Sequence, residues 1–408
     1  MEKNDAGVMI VGAGHAGGTA AALLRQFGYA GPITLVGEEP LAPYQRPPLS
    51  KAWLKGEADA ESLALKPDSF YEEAGVALLK GEHVTAIDRT ARRIVLASGA
   101  TRPYDILILA TGARARRLAL PGADLDGVLV LRSAADAEAL KARLGPGKRL
   151  AVIGGGYIGL EAAASARALG AQAVVLEREP RLLARVAGQT LSDFFTAYHR
   201  ARGVDVRLGV QIEGFVGEGE VRGVRLAGGE IVPCDAALVG VGAIPNSELA
   251  EAAGLDCDNG VVVDLEARTS DPAIFAIGDV TRRPLPHYGR VARLESVANA
   301  LEQARQAASA ITGRPAPAPE VTWNWSDQYD LKYQIAGLPF EADAVVTRGD
   351  PATGRFALFH MAGEVIQAVE AVNAPAEFMG GRQLIAQRRP VSRARLADPS
   401  VSMKEVAA

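Results

Sequence analysis

The chain has 408 residues, 48% hydrophobic and 23% charged, which describes an ordinary folded protein long enough for two or three domains. A formal charge of −4 argues against a nucleic-acid surface, and no apolar run approaches the ~20 residues of a membrane span. Two cysteines, Cys234 and Cys257, lie outside any C-x-x-C spacing, and the five histidines are scattered, so neither a disulfide framework nor a metal site is expected, and both thiols are expected to be buried.

The acidic residues Glu2 and Asp5 stand where a secretory signal would carry basic ones, and glycines break the apolar run behind them, so the chain is expected to be cytoplasmic. The first predicted element is the strand VMIV at 8–11. The turn Gly12-Ala13-Gly14-His15-Ala16-Gly17 follows and opens a helix to about Phe27, where Gly28 can end it. The strand ITLV at 33–36 leads to Gly37 and the acids Glu38 and Glu39, with Glu38 lying 21 residues past Gly17. Such a βαβ unit suits a dinucleotide. Glycines let the backbone approach a pyrophosphate, the helix N-terminus offers unpaired N–H groups, and the acid accepts from ribose hydroxyls.

Further along, LAVI at 150–153 is followed by Gly154, Gly156 and Gly159, a helix to Leu169, and a strand ending at Glu177, 18 residues past Gly159. Each copy closes with an apolar strand that stops at glycine, ILILATG at 106–112 and AALVGVG at 236–242. The cofactor-binding candidates are therefore Gly12, Gly14, Ala16, Gly17, Glu38, Ala110 and Gly112 in the first copy. In the second they are Gly154, Gly156, Tyr157, Ile158, Gly159, Glu177 and Gly242. Two dinucleotides on one chain point to electron transfer between a nicotinamide and a flavin. Glu177 would crowd a 2′-phosphate, which favours NADH over NADPH, although Arg178 and Arg181 follow and a basic residue there can accommodate a phosphate. The first copy is then the flavin site. Next, IFAIGD at 274–279 reads as a strand ending at Asp279, whose carboxylate either binds a ribityl hydroxyl or caps a turn. Pro315, Pro317 and Pro319 suggest a linker into a last unit.

Taken together, GAGHAGG, PYQRPPLSKAWL, ATGA, VIGGGYIGLEAA, VGAIPN, RTSDPAIFAIGD, LESVANALEQAR and WNWSDQYD resemble the FAD-dependent pyridine nucleotide reductases of glutathione-reductase-like fold. More narrowly they resemble the NADH-dependent ferredoxin reductases of bacterial monooxygenases and dioxygenases. RPPLSK, ESVANALEQAR and WSDQYD in that order are the specific part. The resemblance implies an α/β protein with two Rossmann-like domains and a C-terminal α+β domain. The FAD domain would comprise 1–115 and 246–322, the NAD domain 116–245, and an interface domain 323–408.

The resemblance also implies roles. Lys51 would lie beside flavin N5 and O4 with Glu161 as its partner, the two forming the catalytic pair. A cation there favours the electron-rich reduced flavin, and a buried lysine needs a counter-charge. Without the resemblance Lys51 reads as a solvated surface lysine. Arg46 and Arg132 would contact FAD, as would the backbone of Val84 and Val297. Glu295 would lie near nicotinamide and flavin, or else simply favour its helix dipole. Trp325 would lie by the flavin and face a partner, with Trp323 in a core. Asn324 stands where the family often has an aromatic. The acceptor would be a small acidic two-iron ferredoxin drawn to a basic patch, with Arg305 best matched and Arg282, Arg283, Arg290 and Arg293 as further candidates. Each of these also reads as a solvated arginine. The function implied is passage of electrons from NADH through FAD, one at a time, to that ferredoxin. An NADH oxidase, a reductase of another acceptor, or an NADH-responsive flavoprotein switch of the apoptosis-inducing-factor type would be alternatives. A disulfide reductase would need a redox cysteine that PYQRPPLS lacks.

Overall fold

A computed structural model describes residues 6–406, so Glu2 and Asp5 lie outside the described residues. Val8–Val11 is buried along its whole length, as a four-residue apolar run must be when both faces of a parallel sheet are covered. It sits at the centre of a parallel sheet in the order Ile274–Ala276, Ile106–Leu109, Val8–Val11, Ile33–Gly37, Val76–Lys80. The strand order therefore reverses beside Val8–Val11. That reversal opens a crevice at the carboxyl ends of the strands, where ligands of such sheets bind. Helix His15–Gln26 follows the first strand and packs chiefly against helix Val297–Ile311.

Arg149–Ile153 is the centre of a second parallel sheet of the same plan, flanked by Gln172–Leu176 and Ala236–Val239, with Val204–Arg207 and Val128–Leu129 outermost. The duplication runs deeper than the glycine motifs. In both halves a three-stranded antiparallel meander precedes the closing strand: Val84–Asp88, Arg93–Leu96 and Thr101–Pro103 in the first, and Ile212–Glu218, Glu220–Leu226 and Ile231–Pro233 in the second. The chain passes between halves at two short strands, Ala113–Ala115 and Ala243–Pro245, which pair antiparallel. Asn246 clamps this crossing, donating to Thr111 O at 2.8 Å while Thr111 donates back to Asn246 O at 2.8 Å.

The remainder is an antiparallel sheet in the order Trp323–Gln328, Leu331–Gly337, Val365–Val372, Arg355–Ala362, Ala344–Asp350, with helix Pro375–Gln387 packed on it. The proline-rich stretch 314–322 before it forms neither helix nor strand. Arg348, 4% exposed, donates to the carbonyls of Leu396, Asp398 and Val401 and so fixes the C-terminal segment against this sheet. One apolar core joins all three parts, running from Leu49 and Leu54 through Leu160 and Phe195 to Tyr333 and Phe356. Each fully buried aliphatic or aromatic side chain there contributes about 1.5–3 kcal/mol. Helix Tyr157–Ala168 is thereby held between the loop at Lys51 and strand Trp323–Gln328.

Candidate active site

The two glycine turns have matching geometry. Gly12 takes φ +112°, and a Cβ on it would lie 2.2 Å from Ala110 O; Gly154 takes φ +103°, with Gly240 O at 2.6 Å. The third glycines set helix against turn. A Cβ on Gly17 would meet Gly12 O at 2.0 Å, and one on Gly159 would meet Gly154 O at 2.4 Å. Gly14 and Gly156, by contrast, face open space, and each caps its helix without a side-chain hydrogen bond. The first-turn N–H groups are therefore left for an external acceptor, in a place where backbone can touch it. Both turns fit a pyrophosphate.

The acids beyond each turn behave differently. Glu38 is exposed, with one carboxylate oxygen 3.7 Å from His83 Nδ1. Glu39 turns inward, pairing with Arg46 at 2.7 Å and accepting from Tyr44 OH at 2.5 Å. Glu177 is built into its own turn, taking the Gly155 N–H at 2.6 Å and the Glu179 N–H at 2.7 Å. Arg181 is not free to meet a phosphate, because it donates to Ala184 O, Ala187 O and Ser192 Oγ. Arg178 is exposed and pairs with Glu179 at 3.0 Å.

Around the first turn, Arg46 donates to the Arg132 backbone O at 2.6 Å and the Arg132 side chain pairs with Asp279 at 2.8 Å, so three of the candidates form one connected polar cluster. His15, not singled out from the sequence, stands among them. Burial, and then the Arg46 charge, push it down to about 4 against the opposing pull of Asp279, so it is neutral at pH 7. Ala16, Val84 and Ala110 are buried. Gly112 takes φ +63° with the Arg132 guanidinium 3.6 Å from where its Cβ would stand, and Gly242 has Arg185 placed likewise at 3.5 Å. Val297 opens helix Val297–Ile311 behind the Ser296 cap. Glu295 is exposed and pairs with Arg293 at 2.5 Å.

Lys51 is mostly buried and pairs with Glu161 at 2.7 Å across the junction of the two halves. Glu161 is 4% exposed, yet every donor a carboxylate needs is present: Ser50 Oγ at 2.5 Å on one oxygen with Lys51, and Ser326 Oγ at 2.6 Å on the other. A buried charge so satisfied is tolerated, whereas an unpaired one costs several kcal/mol. Trp325, the neighbour of Ser326, is half-buried with its ring 5.5 Å from Trp323, which packs on Phe378. Asn324 and Trp325 pair with Ile335 and Gln334 in the sheet.

Several candidates fall elsewhere. Tyr157 turns away from its glycine turn onto Tyr333, 5.9 Å between rings, and burial raises its hydroxyl; Ile158 beside it is exposed. Arg283 corrects an expectation. It is 2% exposed and locked to Glu302 at 2.8 Å and Asn299 at 3.1 Å, because its strand points it into the core, so it offers no surface charge. Arg293 is also largely covered. Arg305 is exposed, and Arg290 and Arg282 reach the surface beside Glu341 and Asp258. Arg382, not singled out from the sequence, shares Glu320 with Arg305 at 2.9 Å and lies over the Trp323 ring. Cys234 is fully buried with its thiol pushed up to about 12, and Cys257 is only partly buried and pushed up to about 11. Neither offers a thiolate.

Two glycine turns of one plan, joined by a buried ion pair, match a described family. Residues 6–304 fit the model of pyridine nucleotide-disulphide oxidoreductases, and residues 323–407 that of the reductase C-terminal domain. The chain belongs to the pyridine nucleotide-disulphide oxidoreductases. Among members of this family, a protein named probable ferredoxin reductase CtmF, from Castellaniella defragrans, is 55% identical over 402 residues, 98% of each chain. The covalent putidaredoxin reductase–putidaredoxin complex superposes with a TM-score of 0.96 at 41% identity, covering 99% of each chain. The ferredoxin reductase for the CYP199A2 system from Rhodopseudomonas palustris gives 0.95 at 43%, covering 99% of this chain and 100% of the other. Within the family, then, the chain matches reductases that are named for ferredoxin over nearly all of their length, and no reactive cysteine is present among the described residues.

Proposed function

We propose that this oxidoreductase is an FAD-dependent ferredoxin reductase that passes electrons from NADH to a two-iron ferredoxin serving an oxygenase. The observation that carries the reading is the Lys51–Glu161 pair, a buried cation and its counter-charge where two dinucleotide turns meet. FAD and NAD(H) are its cofactors. Bound FAD supplies the chemistry by taking the two electrons of a hydride and giving them up singly.

The first turn, with Arg46, Arg132 and Asp279, holds FAD, and the second, with Glu177, holds NADH. Hydride transfer needs no protein acid or base, so the chain positions and charges the site. Lys51 would supply a positive charge beside the bound flavin, favouring its electron-rich reduced form, and Glu161 holds Lys51 in place. Residues 1–115 with 246–322 form the FAD domain, 116–245 the NAD domain and 323–408 the interface domain. No described helix is long and apolar enough to cross a membrane.

Docking falls to the surface that runs from Trp325 over Trp323 to Arg382 and Arg305. Two arginines share a single glutamate there, which leaves an excess of positive charge for an acidic partner. Arg305→Glu tests this in rapid-mixing experiments at low salt. Ferredoxin reduction should slow about tenfold while flavin reduction by NADH keeps its rate, since a rim charge acts on encounter. Equal loss in both half-reactions would refute the assignment.

A further inference from the structure

The carboxylate of Glu161 is not held by Lys51 and Ser50 alone. Its second oxygen takes the Ser326 hydroxyl at 2.6 Å, and Ser326 is buried to 1% exposure. Strand Trp323–Gln328 alternates its faces, so Ser326 and Gln328 point the same way, both buried, while Trp325 points to the other side. Gln328 Nε2 donates to Ser326 Oγ at 3.0 Å, which leaves the serine proton free to go only to Glu161. Gln328 Oε1 in turn lies 2.8 Å from His199 Nε2. His199 is fully buried, and burial lowers its affinity for a proton, so it is neutral; because Gln328 Oε1 can only accept, the imidazole hydrogen is assigned to Nε2. The result is a directed row of donors, His199 to Gln328 to Ser326 to Glu161, contributed by two separate parts of the chain and ending on the partner of Lys51.

We infer that Ser326, oriented by Gln328 and His199, is a positioning residue that fixes the Glu161 carboxylate and through it the Lys51 cation. The row cannot serve as a proton wire, since the Gln328 amide does not exchange its role as donor and acceptor during a turnover. Its effect is orientation: with one carboxylate oxygen tied to Ser326 and the other shared by Ser50 and Lys51, Glu161 has no free rotamer. The strand that bears Trp325 thus also sets the charge at the centre, joining the partner-facing unit to the site. This inference rests on the reading of Lys51 as the cation at the flavin.

The test uses flavin-loaded enzyme with Ser326→Ala, Ser326→Thr, Gln328→Leu, Glu161→Gln and the Ser326→Ala/Glu161→Gln pair. Anaerobic rapid mixing with NADH gives the flavin-reduction rate and the apparent NADH affinity, and spectroelectrochemistry gives the flavin midpoint potential. Ser326→Ala should slow reduction about tenfold, the size of one hydrogen bond to a charged group, with NADH affinity within twofold. It should move the potential in the direction that Glu161→Gln moves it. Ser326→Thr should restore both, and Gln328→Leu should give a smaller loss. The pair should be no slower than Glu161→Gln alone, because both changes remove one unit. Wild-type rate and potential in Ser326→Ala, or multiplicative losses in the pair, would overturn the inference. If Glu161→Gln itself leaves rate and potential unchanged, the reading of the Lys51 site fails instead.

Discussion

Gly14 and Gly17 stand three residues apart and differ in what a methyl group would meet. At Gly17 it would lie 2.0 Å from Gly12 O, so Gly17→Ala must move the helix off its turn and should lower thermal stability and flavin retention together. At Gly14 nothing stands within 4 Å and the backbone is extended, so Gly14→Ala should fold with a Tm within about 2 °C of wild type yet bind flavin at least tenfold more weakly. Thermal melts and flavin titration of the stripped proteins separate the two. His15 adds a pH dependence. Its folded pKa, about 4, lies below the unfolded value near 6.5, so the unfolded chain binds the proton first; the associated stability is complete above pH 6.5 and is lost as pH falls toward 4. The loss should be roughly 1–2 kcal/mol at pH 5 in flavin-free protein, and His15→Gln should remove that part of the decline in Tm between pH 7 and pH 5. The glycines were legible because spacing alone encodes a turn. His15 and Ser326 were not, because their meaning lies in side-chain neighbours from distant segments.

At the scale of elements, the strands of both parallel sheets were readable as apolar runs that end at glycine, and the helices as the stretches between them. The two meanders were not read, since their short, partly exposed strands carry no continuous apolar signal. Arg283 was misread for a related reason. In TRRPL alternate residues face the core, and Arg283 falls on the buried side with Thr281 and Leu285, a register that only the folded strand reveals. Its pairing with Glu302 ties strand Thr281–Leu285 to helix Val297–Ile311, and Glu302 also accepts from Gln306 and from the Glu320 N–H. Arg283→Leu should therefore cost about 3–5 kcal/mol in denaturant melts by stranding a buried carboxylate. Combining it with Glu302→Leu should recover most of that loss. A small effect of the single change would mean that water reaches Glu302.

Over the whole molecule, the central feature is the meeting of three parts on Glu161: Lys51 and Ser50 from the first half, the glutamate's own helix from the second, and Ser326 from the last sheet. The duplicated motif implied two dinucleotides, and the resemblance paired Lys51 with Glu161, but the contribution of the last sheet to that pair emerged only in the fold. The deciding measurement is anaerobic NADH oxidation by the flavin-loaded protein with cytochrome c as reporter, with and without a panel of two-iron ferredoxins. Fast reporter reduction only when one of the ferredoxins is present is the predicted result. If NADH bleaches the flavin and no ferredoxin accelerates turnover, the ferredoxin reductase assignment is contradicted.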